Sequence, residues 1–352
     1  MRRLAAPLAA LAFTLALAAP TLACGGLIGS NGAVNLLRTT TLAGYHDGVE
    51  HYVTAFQFAG GGGAFGSIVP LPGIPSSVVR GGDWTLQRLV RETAPPAPFA
   101  FGAAAAADSR AVVLQEVRID ALDITILQGG GAEIGVWAKE HGFSLPPDAP
   151  EVLDFYASRS PIFMAAAFDA DAAAERGQAI GDGTPVHLTI PTDNPWVPLR
   201  ILALGKGAGE TIQADVYLLT DKHPSLLHAP GSKLAAGGMS LAHSDSASAE
   251  LLTDLRSDKG MEWVPQTAWL TKVEIDANAT DLRFDLAIDA TGAGHPSPRD
   301  AGLAPFGPLP APPSWAPLFV MLLVVSFAIP LGAGWLLAVG ARNGGGRPLA
   351  GG

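Results

Sequence analysis

Cys24 is the only cysteine in 352 residues, and it lies in "TLACGGLIG", residues 21–29. Small residues precede it, as they precede the cut site of an export signal. Three chemistries fit a thiol at that place. Cleavage after Ala23 would leave it as an ordinary first residue. Lipid attachment at Cys24 would anchor the chain, although Thr21 and Leu22 stand where a lipobox usually has Leu and a small residue. Cleavage would also pair the thiol with its own α-amine, a nucleophile and base in one residue. "GGLIGSNGAV" then offers only backbone amides as an oxyanion site. Plain cleavage ranks first, lipid attachment second and a catalytic thiol last. A lone cysteine also excludes any intramolecular disulfide.

The other chemistry-bearing patterns are weaker. "GGGAFG" spells G-x-G-x-x-G through Gly61, Gly63 and Gly66, but the extended, proline-punctuated "SIVPLPGIP" follows it. A dinucleotide site needs a helix there, so a glycine-rich connection between strands is expected. "LQGGGAEIGVWAK" reads as strand, glycine turn and helix N-terminus, a place that can hold an anion. Glu133 in its first turn would repel one, so a plain strand-to-helix turn is expected. His46 and His51 flank "DGVE", a hairpin turn that would bring them near each other. Two histidines alone make a poor metal site, and surface positions are expected. Asp169, Asp171 and Glu175 lack calcium-loop spacing and are expected to be solvated. There is no G-x-S-x-G and no H-E-x-x-H. No catalytic, cofactor-binding or metal residue is assigned.

Both ends carry membrane signals. Arg2 and Arg3, then "LAAPLAALAFTLALAA", then Pro20 and the small residues before Cys24 have the layout of a secretory signal peptide, residues 1–23. No charged residue occurs between Asp300 and Arg342, and residues 315–340 form an apolar run. About 20 apolar residues span a bilayer core. Trp315 and Trp335 suit the interfaces, and Arg342 and Arg347 suit the cytoplasmic side. The net charge of −10 argues against nucleic acid, which needs basic clusters. The expected localisation is the cell membrane, single-pass, with the main domain extracytoplasmic.

The elements that would position any site come from periodicity. "HYVTAFQF", "VHLTI", "TIQADVYLL" and "DLRFDLAID" alternate with period two, as strands with one wet face do. In "VHLTI" this places Val186, Leu188 and Ile190 inward and His187 and Thr189 outward. Three short helices are predicted. "DWTLQRLVRET" has Asp83 as N-cap, "AEIGVWAKEHG" stops at Gly142, and "DAPEVLDFYASRS" starts with Asp148 and Glu151 as a capping-box-like pair. "FAFGAAAAADSR" and "HPSLLHAPGSKLAAGGMSLAHSDS" read as long loops. Pro70, Pro72 and Pro75 suggest an edge or exit segment, and "WVP" a rigid lead-in to a strand at "LRILAL". The class is α+β, mostly antiparallel, with a few short helices and one C-terminal transmembrane helix.

"ACGGLI", "FGSIVPLPGIP", "VWAKEHGFSLPPDAPEVLDFY" and "LTIPTDNPWVPLRI", in this order, resemble an uncharacterised bacterial family, domain of unknown function 2330. The likeness covers residues 24 to roughly 220. It implies an exported protein, often with a C-terminal membrane span, and carries over no catalytic residue. Family members often have a second cysteine shortly after the first, which this chain lacks.

The expected organisation is a signal peptide (1–23), an extracytoplasmic α+β domain (24–290), a Pro/Gly/Ala-rich tether (291–314), a transmembrane helix (315–340) and a short cytoplasmic tail (341–352). The expected role is a binding or envelope-assembly module with the membrane and an envelope protein or glycan as partners. The alternative is an envelope enzyme, for example a hydrolase using Cys24.

Overall fold

Strands with bulky apolar side chains on both faces cannot leave one face wet, and that fact sets the architecture. The computed structural model describes residues 26–29, 32–33, 39–57, 65–93, 112–177, 183–227, 238–290, 296 and 298–302. Its strands are β1 (Gly26–Gly29), β2 (Gly32–Ala33), β3 (Thr39–His46), β4 (Val49–Gln57), β5 (Phe65–Leu71), β6 (Ser77–Arg80), β7 (Val112–Ile119), β8 (Leu122–Gln128), β9 (Ile162–Phe168), β10 (Gly183–Pro191), β11 (Trp196–Val197), β12 (Thr211–Thr220), β13 (Ser225–Leu227), β14 (Met239–Ser246), β15 (Trp269–Asn278) and β16 (Leu286–Asp289). The helices are α1 (Thr85–Thr93), α2 (Gly131–Glu140), α3 (Ala149–Ala157), α4 (Ala170–Glu175) and α5 (Ala249–Ser257), with a 3-10 turn at Arg200–Ala203.

A six-stranded sheet runs β2-β1-β5-β9-β8-β7, a seven-stranded sheet β14-β15-β12-β3-β4-β10-β6, and a small sheet β11-β16-β13. Among the described residues every strand pair is antiparallel except β12 with β3. The larger sheets face each other across one core, which includes Ile124, Ile126 and Met164 from one sheet and Leu188, Val216 and Val273 from the other. Helices α2 and α3 cover the outer face of the six-stranded sheet, packing Trp137 and Tyr156 against Ile68 and Phe163. Helices α1 and α5 cover the outer face of the seven-stranded sheet, packing Leu89 and Leu255 against Leu42 and Val53. The order is therefore helix, sheet, sheet, helix.

The α+β class stands, and the predicted strands in β4, β10 and β12 and the three predicted helices are present. Several details differ. A sheet with one wet face was expected, but helices cover both outer faces. His187, predicted to point outward, is therefore buried. "HPSLLHAPGSKLAAGGMSLAHSDS" contains β13 and β14, not one long loop. Strand β14 is an edge strand with mostly exposed side chains, so its sequence lacks apolar alternation. In "DLRFDLAID" only Leu286–Asp289 is strand; Leu282 and Phe284 are buried without being in a ladder. "RILA", within the predicted strand "LRILAL", forms the 3-10 turn instead. Helices α4 and α5 were not predicted, although Ser248 caps α5 by accepting the Leu251 amide at 3.1 Å. Pro70 lies in β5 beyond its pairing with β1, which ends at Ile68, and this is the place where a missing N–H costs least.

The predicted caps are also reassigned. Asp83 pairs with Arg80 at 2.8 Å. The first amides of α1 are served across the chain by Asp258, whose Oδ2 accepts Trp84 N–H at 2.9 Å, Thr85 N–H at 2.8 Å and the Thr85 hydroxyl at 2.8 Å. Asp148 accepts the Gly205 amide, and Glu151 pairs with Arg200.

The chain divides into two units, Met1–Gly307 and Pro308–Gly352. The second lies outside the described residues, as do the segments 1–23 and 315–340 and the loop "FAFGAAAAADSR". Among the described residues no helix is long and apolar enough to cross a membrane.

Candidate functional site

The glycine motifs resolve into architecture. Gly61 and Gly63 lie outside the described residues, as does Cys24. Gly66 sits in β5, where a Cβ would come within 2.9 Å of both the Ala166 carbonyl oxygen and the Phe143 ring. A side chain there would push β5 off β9. At "LQGGGAEIG" the predicted strand, turn and helix are present. The helix N-terminus is already filled by the chain's own carboxylates: Gly130 N–H donates to Glu133 Oε2 at 2.8 Å and Gly131 N–H to Asp154 Oδ1 at 2.9 Å. Asp169 caps α4 through the Ala172 amide at 2.9 Å and pairs with Arg118; Glu175 is exposed.

The hairpin around "DGVE" is as predicted. Asp47 and Gly48 take φ of +50° and +78°, which a two-residue turn with the strands' own twist requires. The structure does not bring His46 and His51 into one site. His46 Nδ1 lies 2.6 Å from Asp221 at the surface. His51 is half-buried and joins residues the sequence did not connect to it. Its Nδ1 is 3.0 Å from His187 Nε2, and its ring stacks on Trp263 with centroids 3.9 Å apart and planes 2° from parallel. Register explains the room for this. Gly44 is the cross-strand partner of His51, and a Cβ on Gly44 would stand 2.2 Å from the Trp263 ring.

Burial lowers the pKa of both imidazoles, His51 to about 3 and His187 to about 4. For His51 the charges of His187 and His46 add to that effect. For His187 the Gly260 backbone and Glu262 act the other way, although His187 Nδ1 has no hydrogen-bond partner of normal geometry. The pair is neutral at pH 7 and holds a proton in a bridge between two nitrogens. Such a pair can take up or pass on a proton. Among the described residues no group of three or more His, Cys, Asp or Glu stands together as a metal site.

Two other buried polar centres stand out. Asp285 is fully buried; its Oδ1 accepts the Tyr156 hydroxyl at 2.8 Å, Leu199 N–H at 2.7 Å and Arg200 N–H at 3.0 Å. Its Oδ2 pairs with Arg159, whose guanidinium lies over Trp196 at 4.5 Å and Phe155 at 4.6 Å. Both Asp285 oxygens and both terminal nitrogens of Arg159 have partners, Arg159 Nε alone lacking one of normal geometry, so this centre ties α3, the 3-10 turn and the small sheet together. Glu50 is the opposite case. It is fully buried, and neither carboxyl oxygen has a hydrogen-bond partner of normal geometry. Burial raises its pKa to about 8, with the Trp196 backbone acting weakly the other way, so at pH 7 it carries its proton.

With this geometry in place, comparison with known proteins adds one finding. The pattern of the family described as "Uncharacterized protein conserved in bacteria" (DUF2330) matches residues 18–288. The chain belongs to that family. The match spans both large sheets and all of the centres above, so the DUF2330 body is the whole layered unit and not one half of it. No curated protein matches the chain. Among solved structures, a mutated baculovirus P35 after caspase cleavage is similar over 71% of this chain and 93% of that one, with 9% identity and a TM-score of 0.32. At those values the likeness bears on nothing further.

His187, Trp263, Asp258, Asp285 and Glu50 were not singled out in the sequence. His187 and Glu50 each carried a signal: His187 is a titratable residue between the apolar Val186 and Leu188 of an alternating strand, and Glu50 precedes the "HYVTAFQF" run on the same face as Tyr52. For Trp263 and Asp258 there was none, because they act from a loop on elements far away in the chain.

Proposed function

We propose that this DUF2330 protein is a single-pass, membrane-anchored extracytoplasmic protein whose layered body is a binding or envelope-assembly module. The observation that carries the reading is the charge-free apolar run at 315–340, followed by Arg342 and Arg347, at the opposite end of the chain from an export-signal layout. A chain with both features is threaded outward and then held. Residues 24–290 form the body; 298–302, expected in the tether, pack on it, with Ala301 buried and its carbonyl accepting the Asp285 amide at 3.1 Å, which leaves 303–314 as the tether and 341–352 as the cytoplasmic tail. In polyproline geometry such a tether reaches about 3.1 Å per residue. The net charge of −10 favours an envelope protein or glycan over nucleic acid as partner.

Protease added to intact spheroplasts tests this directly. The body should be digested while the cytoplasmic tail survives. A body protected in full, with the tail accessible, would overturn the reading.

A further inference from the structure

Residues 258–264 lie across the outer face of the seven-stranded sheet and are held at both ends. At one end Asp258 caps α1 through the Trp84 and Thr85 amides. At the other, Trp263 stacks on His51 and lies 5.9 Å from His187. Between them the Lys259 carbonyl accepts the Gly82 amide at 2.8 Å, and Met261 and Val264 are buried. We infer that this segment is an acid-released latch: the hydrogen-bonded His51–His187 pair under Trp263 holds it on the sheet, and charging both rings frees it together with the cap on α1.

The proton count gives the reason. In the neutral pair one N–H fills the 3.0 Å gap between His51 Nδ1 and His187 Nε2, and the facing nitrogen accepts it. One added proton keeps that bridge. A second turns both facing nitrogens into donors, so two N–H groups and two like charges oppose each other at hydrogen-bond distance, in a half-buried place. The surroundings do little to offset this. On β3, His46 adds positive charge when protonated. On the segment itself, the Gly260 backbone and then Glu262 favour the charged form of His187, Glu262 being the one acidic side chain to do so, while Asp258 is committed to α1 and Lys259 is a cation. Glu50 on β4 and Arg80 on β6 belong to the opposite faces of their strands, Arg80 being paired with Asp83 and Asp120. Burial already holds both histidines below the ordinary 6.5. Their contribution to stability is therefore complete above about pH 6.5 and is lost as pH falls toward 4 and below.

Hydrogen exchange read by mass spectrometry on the full chain in detergent, from pH 7 to pH 3.5 and corrected for the intrinsic rate at each pH, tests the latch. Protection of peptides covering 84–93 and 258–264 should fall by about tenfold or more while β12 and β15 stay protected. His187→Gln should abolish that step. Glu262→Gln changes an exposed side chain and should move its midpoint to lower pH, since it removes the charge that favours protonation of His187. Unchanged protection of the two peptides, their loss only together with β12 and β15, or the same step in His187→Gln would overturn the latch. Should His187→Gln fail to fold, an unmoved midpoint in Glu262→Gln does so on its own.

Discussion

Glu50 and His51 are consecutive in β4, and burial suppresses the charge of both, on opposite faces of the same sheet. Glu50 points into the core between the sheets and stays protonated. His51 points under Trp263 and stays neutral. One strand thus carries an acid and a base that are both uncharged at pH 7, because helices cover one face and a second sheet covers the other.

Glu50→Gln should stabilise the protein at neutral pH. The folded pKa, about 8, exceeds the ordinary 4.5. Below 4.5 both folded and unfolded chains hold the proton and nothing is lost. Between about 4.5 and 8 the unfolded chain ionises while the folded one does not, so stability falls as pH rises. At pH 7 the penalty is on the order of 3 kcal/mol. Urea unfolding at pH 4.5, 6 and 8 should show a variant advantage that grows with pH; a constant difference would mean that Glu50 is ionised in the fold.

Asp285→Ala should cost about 3–5 kcal/mol, because it strands the Arg159 cation among aromatic rings. Asp83→Ala, which breaks the half-exposed pair with Arg80, should cost no more than about 1 kcal/mol. Comparable losses in the two variants would show that water reaches Arg159.

Asp258→Ala should cost about 1–2 kcal/mol, the usual range for a lost N-cap. Exchange should speed up in the first turn of α1 and leave α3 unaffected. A variant with wild-type protection across 84–88 would remove Asp258 from the capping role.

Gly44→Ala should destabilise by about 1–3 kcal/mol, since the added methyl meets the Trp263 ring. The same change in a Trp263→Leu background should cost much less. Equal costs in both backgrounds would place the strain elsewhere.

Truncation before Trp315 should release the protein from membranes, on the reading that the apolar run alone anchors it. If the truncated chain stays bound and Cys24→Ser then frees it, the thiol carries lipid and the order of the two readings is reversed.

Much of the fold was legible because it is local. Period-two runs marked β4, β10 and β12, the Asp47–Gly48 turn marked its hairpin, and Gly142 marked the end of α2, since each depends on neighbours in the chain. Strand β14 was not legible: an edge strand exposed on its side chains has no apolar alternation to read. The export layout, the apolar run at 315–340, the lone Cys24 and the family resemblance also come from sequence alone. Only the tertiary structure decided which polar residues meet. His51 finds His187 diagonally on the neighbouring strand β10 and Trp263 from a loop more than 200 residues on. Asp258 caps a helix that starts far before it, and Asp285 joins α3 to the 3-10 turn. Alternation says that a side chain has a face, but what covers that face is set by helices packed from elsewhere, and that packing turned an expected surface histidine into a buried one.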